Sequence, residues 1–130
     1  MTNKVWGVTN EIQSSDFYSK HELLLASGGY CSLHYHKHRA NRFIVISGVI
    51  EIIEMYGPLV YKKRLCSGDQ YDVPSLVPHM FVVYEGGNII EEYYSDRGGK
   101  VDSDDIVRII NGGMKPISEL ADLPSSIIDC

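Results

Sequence analysis

Three of the five histidines of this chain lie in one short stretch, at positions 34, 36 and 38. Side chains alternate between the two faces of a β-strand, so residues two apart point the same way. His34, His36 and His38 are therefore predicted to share one face of a strand. Neutral imidazole is the commonest nitrogen ligand of divalent metals in proteins. The spacing predicts a metal site rather than an ordinary half-buried strand.

A further histidine, His79, follows a loop that is bracketed by Pro74 and Pro78. Together with His34 and His36 it completes a predicted set of three imidazole ligands. Three protein ligands with open coordination positions are typical of a catalytic metal rather than a closed structural one. We therefore expect these three side chains to meet around a divalent metal ion.

Two other side chains near these histidines have predicted roles. His38 lies close to the end of the predicted strand, and it is expected either to contact the substrate or metal or to lie exposed on the rim. Tyr71 precedes the proline loop and is predicted to point inward beside the metal as a catalytic residue.

The elements that must position these residues are short strands. Apolar and β-branched runs recur along the first hundred residues, with a Gly, Pro, Ser or Asn turn every eight to twelve residues. This pattern indicates an all-β sandwich or closed barrel. Val49 to Met55 is one such run, with Glu51 and Glu54 expected at solvent positions.

The last thirty residues differ in composition from the rest of the chain. Residues 101–130 contain six acidic and two basic residues, so they carry −4 of the chain's net charge of −5. The run Asp102–Asp105 is predicted to cap a short helix through Arg108, and Ser118 to begin another. We expect a barrel over residues 1–100 and, over 101–130, an acidic tail whose short helices pack on it.

Composition limits the classes of partner. The net charge of −5 argues against nucleic acid as a partner. No apolar stretch approaches the length of a membrane span and no signal-peptide pattern is visible. Three cysteines without a Cys-x-x-Cys pair favour reduced thiols and a cytoplasmic location.

The spacing of the histidines carries a family resemblance. The first motif of the cupins reads Gly, five residues, His-x-His, three or four residues, Glu, six residues, Gly. The second motif reads Gly, five residues, Pro, and a His five residues on. The matching positions here are Gly28, His34, His36, Asn41 and Gly48, followed by Gly68, Pro74 and His79. The chain thus resembles the cupins, which implies a double-stranded β-helix, or jelly-roll, barrel.

Two positions depart from the cupin motifs. The motif Glu is Asn41, and the Gly that follows the motif Pro is Leu76. Cupins that bind metal usually supply a carboxylate at the first position, whereas Asn offers a neutral carbonyl oxygen, a weaker ligand for a hard cation. Asn41, a water molecule or His38 is left to complete the coordination.

A narrower resemblance covers roughly residues 4–110. The chain is similar to the cupin module of type II mannose-6-phosphate isomerases. The segments that match are Trp6-Gly7, Lys20, Ser32 to Phe43, Ile46 to Gly48, Pro74 to His79, and Asp104 to Arg108. The resemblance implies metal-assisted aldose–ketose isomerisation of a sugar phosphate, with Lys20 in the catalytic site and with Arg39 and Arg108 binding the substrate.

The sequence leaves three functions open. The leading one is a sugar or sugar-phosphate isomerase that uses a divalent metal such as zinc, manganese, iron or nickel. The second is a metal-dependent dioxygenase or lyase that acts on a small organic substrate. The third, motivated by Asn41, is a carbohydrate-binding cupin without catalysis. A homodimer is expected from the resemblance alone.

Overall fold

The structure is a computed structural model that describes residues 1–102 and 104–114, and these residues contain strands and no helix. The strands in chain order are β1 (Thr2–Lys4), β2 (Gly7–Ser14), β3 (Tyr18–Leu25), β4 (Gly29–Tyr30), β5 (Leu33–Tyr35), β6 (Ala40–Val45), β7 (Val49–Tyr56), β8 (Leu59–Leu65), β9 (Gln70–Val73), β10 (His79–Glu85), β11 (Gly87–Tyr94), β12 (Val107–Ile110) and β13 (Gly113–Met114). The predicted all-β jelly-roll barrel is confirmed.

The strands form two antiparallel sheets. Sheet A has the order β1-β2-β3-β11-β6-β9. In sheet B, β10 is central, with β7 on one side and both β4 and β5 on the other. β8 extends this sheet beyond β7, while β12 and β13 extend it beyond β5 and β4. Neighbours in sheet A such as β3 and β11 lie far apart in sequence, which is typical of a jelly roll.

The hydrophobic core lies between the two sheets. Period-2 alternation places Leu23, Phe43 and Ile89 of sheet A on the inward face. From sheet B, Ile52 and Phe81 meet them. The histidines adjoin this core: the ring of Phe43 contacts the ring of His79 with 6.4 Å between centroids.

A glycine makes the turn that joins the two sheets after β6. Gly48 has a φ of +93°, in the region that disfavours side chains. A Cβ at this position would lie 2.6 Å from the carbonyl oxygen of Glu85. Position 48, which closes the first motif, therefore requires glycine for both its backbone angle and its space.

Two expectations about exposed residues are wrong. Glu51 and Glu54 are fully buried rather than solvent-facing. The two side chains point to opposite faces of β7, where Arg64, 3.8 Å away, and Tyr84 cover Glu51, and two tyrosines cover Glu54. Tyr56 donates a hydrogen bond of 2.7 Å to Glu54, and the Tyr71 hydroxyl donates a second. Hydrogen bonds of this kind allow a carboxylate to be buried.

The predicted helix through Arg108 is also wrong. Residues 107–110 form β12, in which Val107 pairs with Tyr35 and Arg108 with His34. Pairing with the exposed edge of β5 overrides the capping signal at Asp102, and β-branched residues suit a strand. The second expected helix, from Ser118, lies outside the described residues.

Two further observations bear on the composition. No helix among residues 1–102 and 104–114 is long and apolar enough to cross a membrane. Cys31 is a buried free thiol, as expected. Cys66 is disulfide-bonded, so the expectation of reduced thiols is wrong at that position.

Candidate metal centre

Three buried histidines meet at one end of the barrel interior. The ligand nitrogens of His34, His36 and His79 all lie within 4.8 Å of one another. Their ring centroids are 4.9 Å apart for His34 and His36, 4.7 Å for His34 and His79, and 5.3 Å for His36 and His79. The three-imidazole cluster predicted from the spacing is therefore present, and a divalent metal ion fits it.

Strand register brings the cluster together. His34 on β5 pairs directly with His79 on β10, and opposite residues of an antiparallel pair point to the same face. His36 immediately follows β5 and keeps the inward direction. The loop before β10 is tied to it, because the backbone N–H of Leu76 donates a hydrogen bond of 2.6 Å to the carbonyl oxygen of His36.

Each imidazole is oriented by a backbone carbonyl at its Nδ1 atom. The Nδ1 atom of His34 lies 2.8 Å from the backbone carbonyl oxygen of Ser32, and that of His36 lies 2.7 Å from the backbone carbonyl oxygen of Asp105. The Nδ1 atom of His79 lies 2.9 Å from the backbone carbonyl oxygen of Val77. A carbonyl only accepts, so each Nδ1 carries the proton and donates. Nε2 is then left with a free lone pair, the arrangement that fixes a metal-binding tautomer.

The Nε2 atoms provide the test of whether a metal fits. Those of His36 and His79 are buried and have no hydrogen-bond partner among the described residues. A buried polar atom without a partner costs about 1–3 kcal/mol. Two such atoms in one cluster of three imidazoles are explained by a shared metal ion.

Arg39 makes a second contact with His36. Its Nε lies 3.2 Å from His36 Nδ1. This atom cannot both accept from Arg39 and donate to the Asp105 carbonyl. The carbonyl contact is the shorter, and two facing lone pairs at 2.7 Å would repel. His36 Nδ1 is therefore protonated, and Arg39 packs beside it.

Burial keeps the three imidazoles neutral. It lowers the pKa of His34 to about 3, with a further contribution from His79. Burial, followed by the positive charge of Arg39, lowers the pKa of His36 to about 2. Burial lowers the pKa of His79 to about 4. Neutral imidazole is the form that binds metals.

A cavity of about 750 Å³, within the usual range for small-molecule sites, opens beside His34. Its wall includes Ser19, His21, His34, Arg39, Glu91 and Arg108. It is lined by β3 and β11 of sheet A and by β5 and β12 of sheet B. The described residues thus place two arginines and one of the metal-site histidines around the same space.

Arg39 is buried in this wall with 6% of its surface exposed. Its guanidinium stacks on the Tyr93 ring, 3.8 Å from the centroid. No carboxylate oxygen of the described residues lies within the 4.0 Å of an ion pair with Arg39. Burial raises the pKa of Glu91 on the same wall and the charge of Arg39 opposes this, but no carboxylate oxygen of the described residues bonds to the guanidinium, so its N–H donors remain available to an anionic ligand.

Asn41, at the position of the motif Glu, is buried with 0% of its surface exposed. Its Nδ2 donates a hydrogen bond of 2.9 Å to Glu91 Oε2. Its Oδ1 has no partner among the described residues. Burial raises the pKa of the Glu91 carboxyl.

The structure separates the other predicted site residues. Arg108 lies on β12 opposite His34 and lines the cavity. His38 is exposed outside the histidine cluster, since β5 ends at Tyr35 and the backbone N–H of His38 bonds to Asp105 Oδ2 at 2.8 Å.

The two predicted catalytic residues lie in different surroundings. Lys20 is on the face of β3 opposite Ser19 and His21, which line the cavity. Tyr71 pairs with the inward-facing Phe43, and its hydroxyl donates to the buried Glu54. The catalytic role of each remains a prediction.

Sequence reasoning missed Glu91 and Tyr93. Both lie on β11 two residues apart, on the face that begins with the buried Ile89. The Tyr93 ring contacts the His36 ring with 5.4 Å between centroids. The alternation Ile89, Glu91, Tyr93 is the signal that could have placed both side chains inside the barrel.

Comparison with solved structures identifies the fold. An oxalate decarboxylase from Bacillus subtilis matches with a TM-score of 0.70 and 18% identity, over 82% of this chain and 29% of that one. The Lactobacillus farciminis oxalate decarboxylase in complex with formate matches with a TM-score of 0.69 and 17% identity, over 84% and 33%. Another Bacillus subtilis match with a TM-score of 0.70, at 18% identity and over 82% and 29%, is described by its Mn(II) centres.

These matches support the cupin fold, since oxalate decarboxylases are cupins, and they do not support the narrower resemblance to mannose-6-phosphate isomerases. The chain spans about a third or less of the length of these structures. No family model matches the sequence, and a search of curated proteins found no match.

Proposed function

We propose that this protein is a metal-dependent cupin of the lyase or dioxygenase type, and that its substrate is a small organic acid. The observation that carries the proposal is Arg39, a buried guanidinium beside His36 that has no carboxylate oxygen of the described residues within 4.0 Å. A substrate carboxylate would accept hydrogen bonds from its free N–H donors.

The proposed metal ligands are His34, His36 and His79, with Asn41 as a further oxygen ligand. A divalent metal there supplies Lewis-acid polarisation of a bound carboxylate or carbonyl oxygen. Manganese is the first candidate, because one structural neighbour is described by its Mn(II) centres.

The chain's own residues orient the substrate. Arg39 is held flat against the Tyr93 ring, so its fork of N–H donors has a fixed direction. Arg108 adds a second positive charge in the cavity wall. Burial raises the pKa of the Tyr93 hydroxyl far above its ordinary value, so this group stays protonated and can donate.

The isomerase function has weaker support. Moving a proton between two sugar carbons requires a base that reaches the substrate. Lys20, which the isomerase resemblance implies for the catalytic site, lies on the face of β3 away from the cavity. Structural neighbours named as oxalate decarboxylases favour the organic-acid reading.

The test is an activity panel on the metal-loaded protein. Protein loaded with Mn²⁺, Fe²⁺, Zn²⁺ or Ni²⁺ is assayed with oxalate and other small mono- and dicarboxylates, and carbon dioxide release and oxygen consumption are followed. We expect turnover of at least one acid, lost in His36→Ala. Isomerisation of mannose 6-phosphate without acid turnover would contradict the proposal. Saturable sugar binding that survives a chelator, without turnover, would indicate the carbohydrate-binding alternative.

A further inference from the structure

The buried amide of Asn41 has one satisfied end and one unsatisfied end. Nδ2 donates to Glu91 Oε2 at 2.9 Å, while Oδ1 has no partner among the described residues. A carboxylate accepts hydrogen bonds, so Glu91 selects the NH₂ group of the amide as its neighbour. The carbonyl oxygen of Asn41 is thereby held on the other side.

The position of Asn41 relates it to the histidine cluster. On β6 it alternates inward with Phe43, whose ring contacts His79. It pairs across the sheet with Tyr93, whose ring contacts His36. Asn41 therefore lies on the inward face between two residues that each contact a metal-site histidine.

Glu91 is itself fixed in place. It is buried with 8% of its surface exposed, and its Oε2 accepts the hydrogen bond of 2.9 Å from Asn41 Nδ2. A side chain packed inside the barrel has little rotational freedom, so it can impose its orientation on the amide.

We infer that Glu91 is a positioning residue for the metal centre, which turns the Asn41 carbonyl oxygen toward the three histidines so that an Asn–Glu pair on neighbouring strands replaces the motif glutamate. The inference rests on the proposed metal site. Outer partners that orient a ligand are typically worth about 10–100-fold in metal affinity.

The test is a double-mutant cycle on metal affinity. Mn²⁺ and Zn²⁺ binding is measured by competition with a chromophoric chelator for the wild type, Glu91→Ala, Asn41→Ala and the double variant. If Glu91 acts through Asn41, each single variant weakens binding about 10–100-fold and the double variant is no weaker than Asn41→Ala. The inference is overturned if Glu91→Ala also weakens binding in the Asn41→Ala background, because a general charge effect would do so. It is overturned as well if Glu91→Ala leaves metal affinity unchanged.

Two controls keep the result interpretable. Glu91→Gln retains an acceptor oxygen for the Asn41 amide, so it is expected to bind metal within a few-fold of the wild type. Glu91→Leu, which removes both carboxylate oxygens at similar volume, replaces Glu91→Ala in the cycle if that variant does not fold. In that case an affinity loss in Glu91→Leu that is absent in the Asn41→Ala background supports the inference, and an additive loss overturns it. A wild type that binds no metal overturns the metal site as well, which distinguishes that failure from a lack of coupling.

Discussion

The backbone N–H of Leu76 donates a hydrogen bond of 2.6 Å to the carbonyl oxygen of His36. This bond joins the segment after β5 to the proline loop before β10, so it fixes His36 relative to the loop that leads into His79. Leu76 makes the bond with a φ of +68°, the only positive φ of a non-glycine residue in the described part of the chain. The second cupin motif has glycine at this position.

Replacing Leu76 by glycine is expected to stabilise the protein. A left-handed residue with a Cβ costs about 1–2 kcal/mol, and the added freedom of glycine in the unfolded chain returns about 0.5–1 kcal/mol of that. Leu76 is 47% exposed, so it loses little burial. Leu76→Gly should therefore raise the free energy of unfolding by about 0.5–1 kcal/mol in urea titration.

Alanine is the matched control at this position. Leu76→Ala keeps the Cβ and hence the strain, so it should show no gain in stability. Equal stabilisation by both substitutions would mean that the side chain rather than the backbone angle is responsible.

Asp105 is expected to support the metal centre from outside. Its carboxylate oxygens accept hydrogen bonds of 2.8 Å from the backbone N–H groups of Lys37 and His38, and its carbonyl oxygen accepts from His36 Nδ1. Asp105→Ala frees the loop that carries this carbonyl. We expect metal affinity to fall about 10-fold, as for other groups that orient a ligand, measured by chelator competition.

The exposed neighbour Asp104 provides the control for this prediction. Asp104→Ala changes the chain charge by the same amount and should leave metal affinity within about two-fold, because exposed charges are screened. Equal losses in the two variants would indicate a general charge effect instead of ligand orientation.

Arg39→Met should separate substrate binding from stability. Removing a charge-assisted contact worth about 1.5–3 kcal/mol should weaken the binding of oxalate to the Mn²⁺-loaded protein about 10–100-fold in calorimetry. Removal of the buried cation saves its desolvation cost but also takes an opposite charge away from the buried Glu91, so the melting temperature should change little. If Arg39 served folding alone, Arg39→Met would lower the melting temperature and leave oxalate affinity unchanged.

Lys100→Met is the control for the arginine. Lys100 lies on the same cavity but is 73% exposed and is 3.7 Å from Asp16. Its removal should change oxalate affinity less than about three-fold, since exposed pairs contribute about 0–1 kcal/mol. If Lys100→Met weakened oxalate binding as much as Arg39→Met does, the anion would bind at the mouth of the cavity rather than at Arg39.

Tyr71→Phe is expected to destabilise the fold through Glu54. The fully buried carboxylate accepts hydrogen bonds from Tyr71 and Tyr56, and loss of one donor leaves an oxygen unsatisfied. The cost should be about 1–3 kcal/mol in the free energy of unfolding. Tyr94→Phe, which removes a hydrogen bond of 2.8 Å to the exposed Asp72, should cost less than about 0.5 kcal/mol. Similar costs at both positions would contradict a special role for the buried carboxylate.

The sequence predicts the histidine cluster because its signals are local. The two-residue spacing of His34 and His36 gives their shared face, and the motif match adds His79. The third histidine of the stretch, His38, departs because the alternation continues only as far as His36. The backbone N–H groups of Lys37 and His38 bond to the Asp105 carboxylate instead of continuing the strand.

The rest of the site depends on contacts between distant segments. Glu91 meets Asn41 through the pairing of β11 with β6, fifty residues apart in the chain. β12 is a strand because it pairs with β5, although its own sequence signals a helix cap. The local sequence pattern carries no information about which distant strands pair. Tertiary contacts therefore determine the conformation of these segments.

The central claim is that three histidines hold a divalent metal. The direct measurement is metal content by mass spectrometry for the natively purified wild type, for His36→Ala and His79→Ala, and for His21→Ala, a histidine of the cavity wall outside the cluster. We expect near-stoichiometric divalent metal in the wild type and in His21→Ala, and its loss in the other two variants with the fold retained. A wild type without metal, even after incubation with Mn²⁺, Fe²⁺, Zn²⁺ and Ni²⁺, or equal metal content in all four proteins, would contradict it.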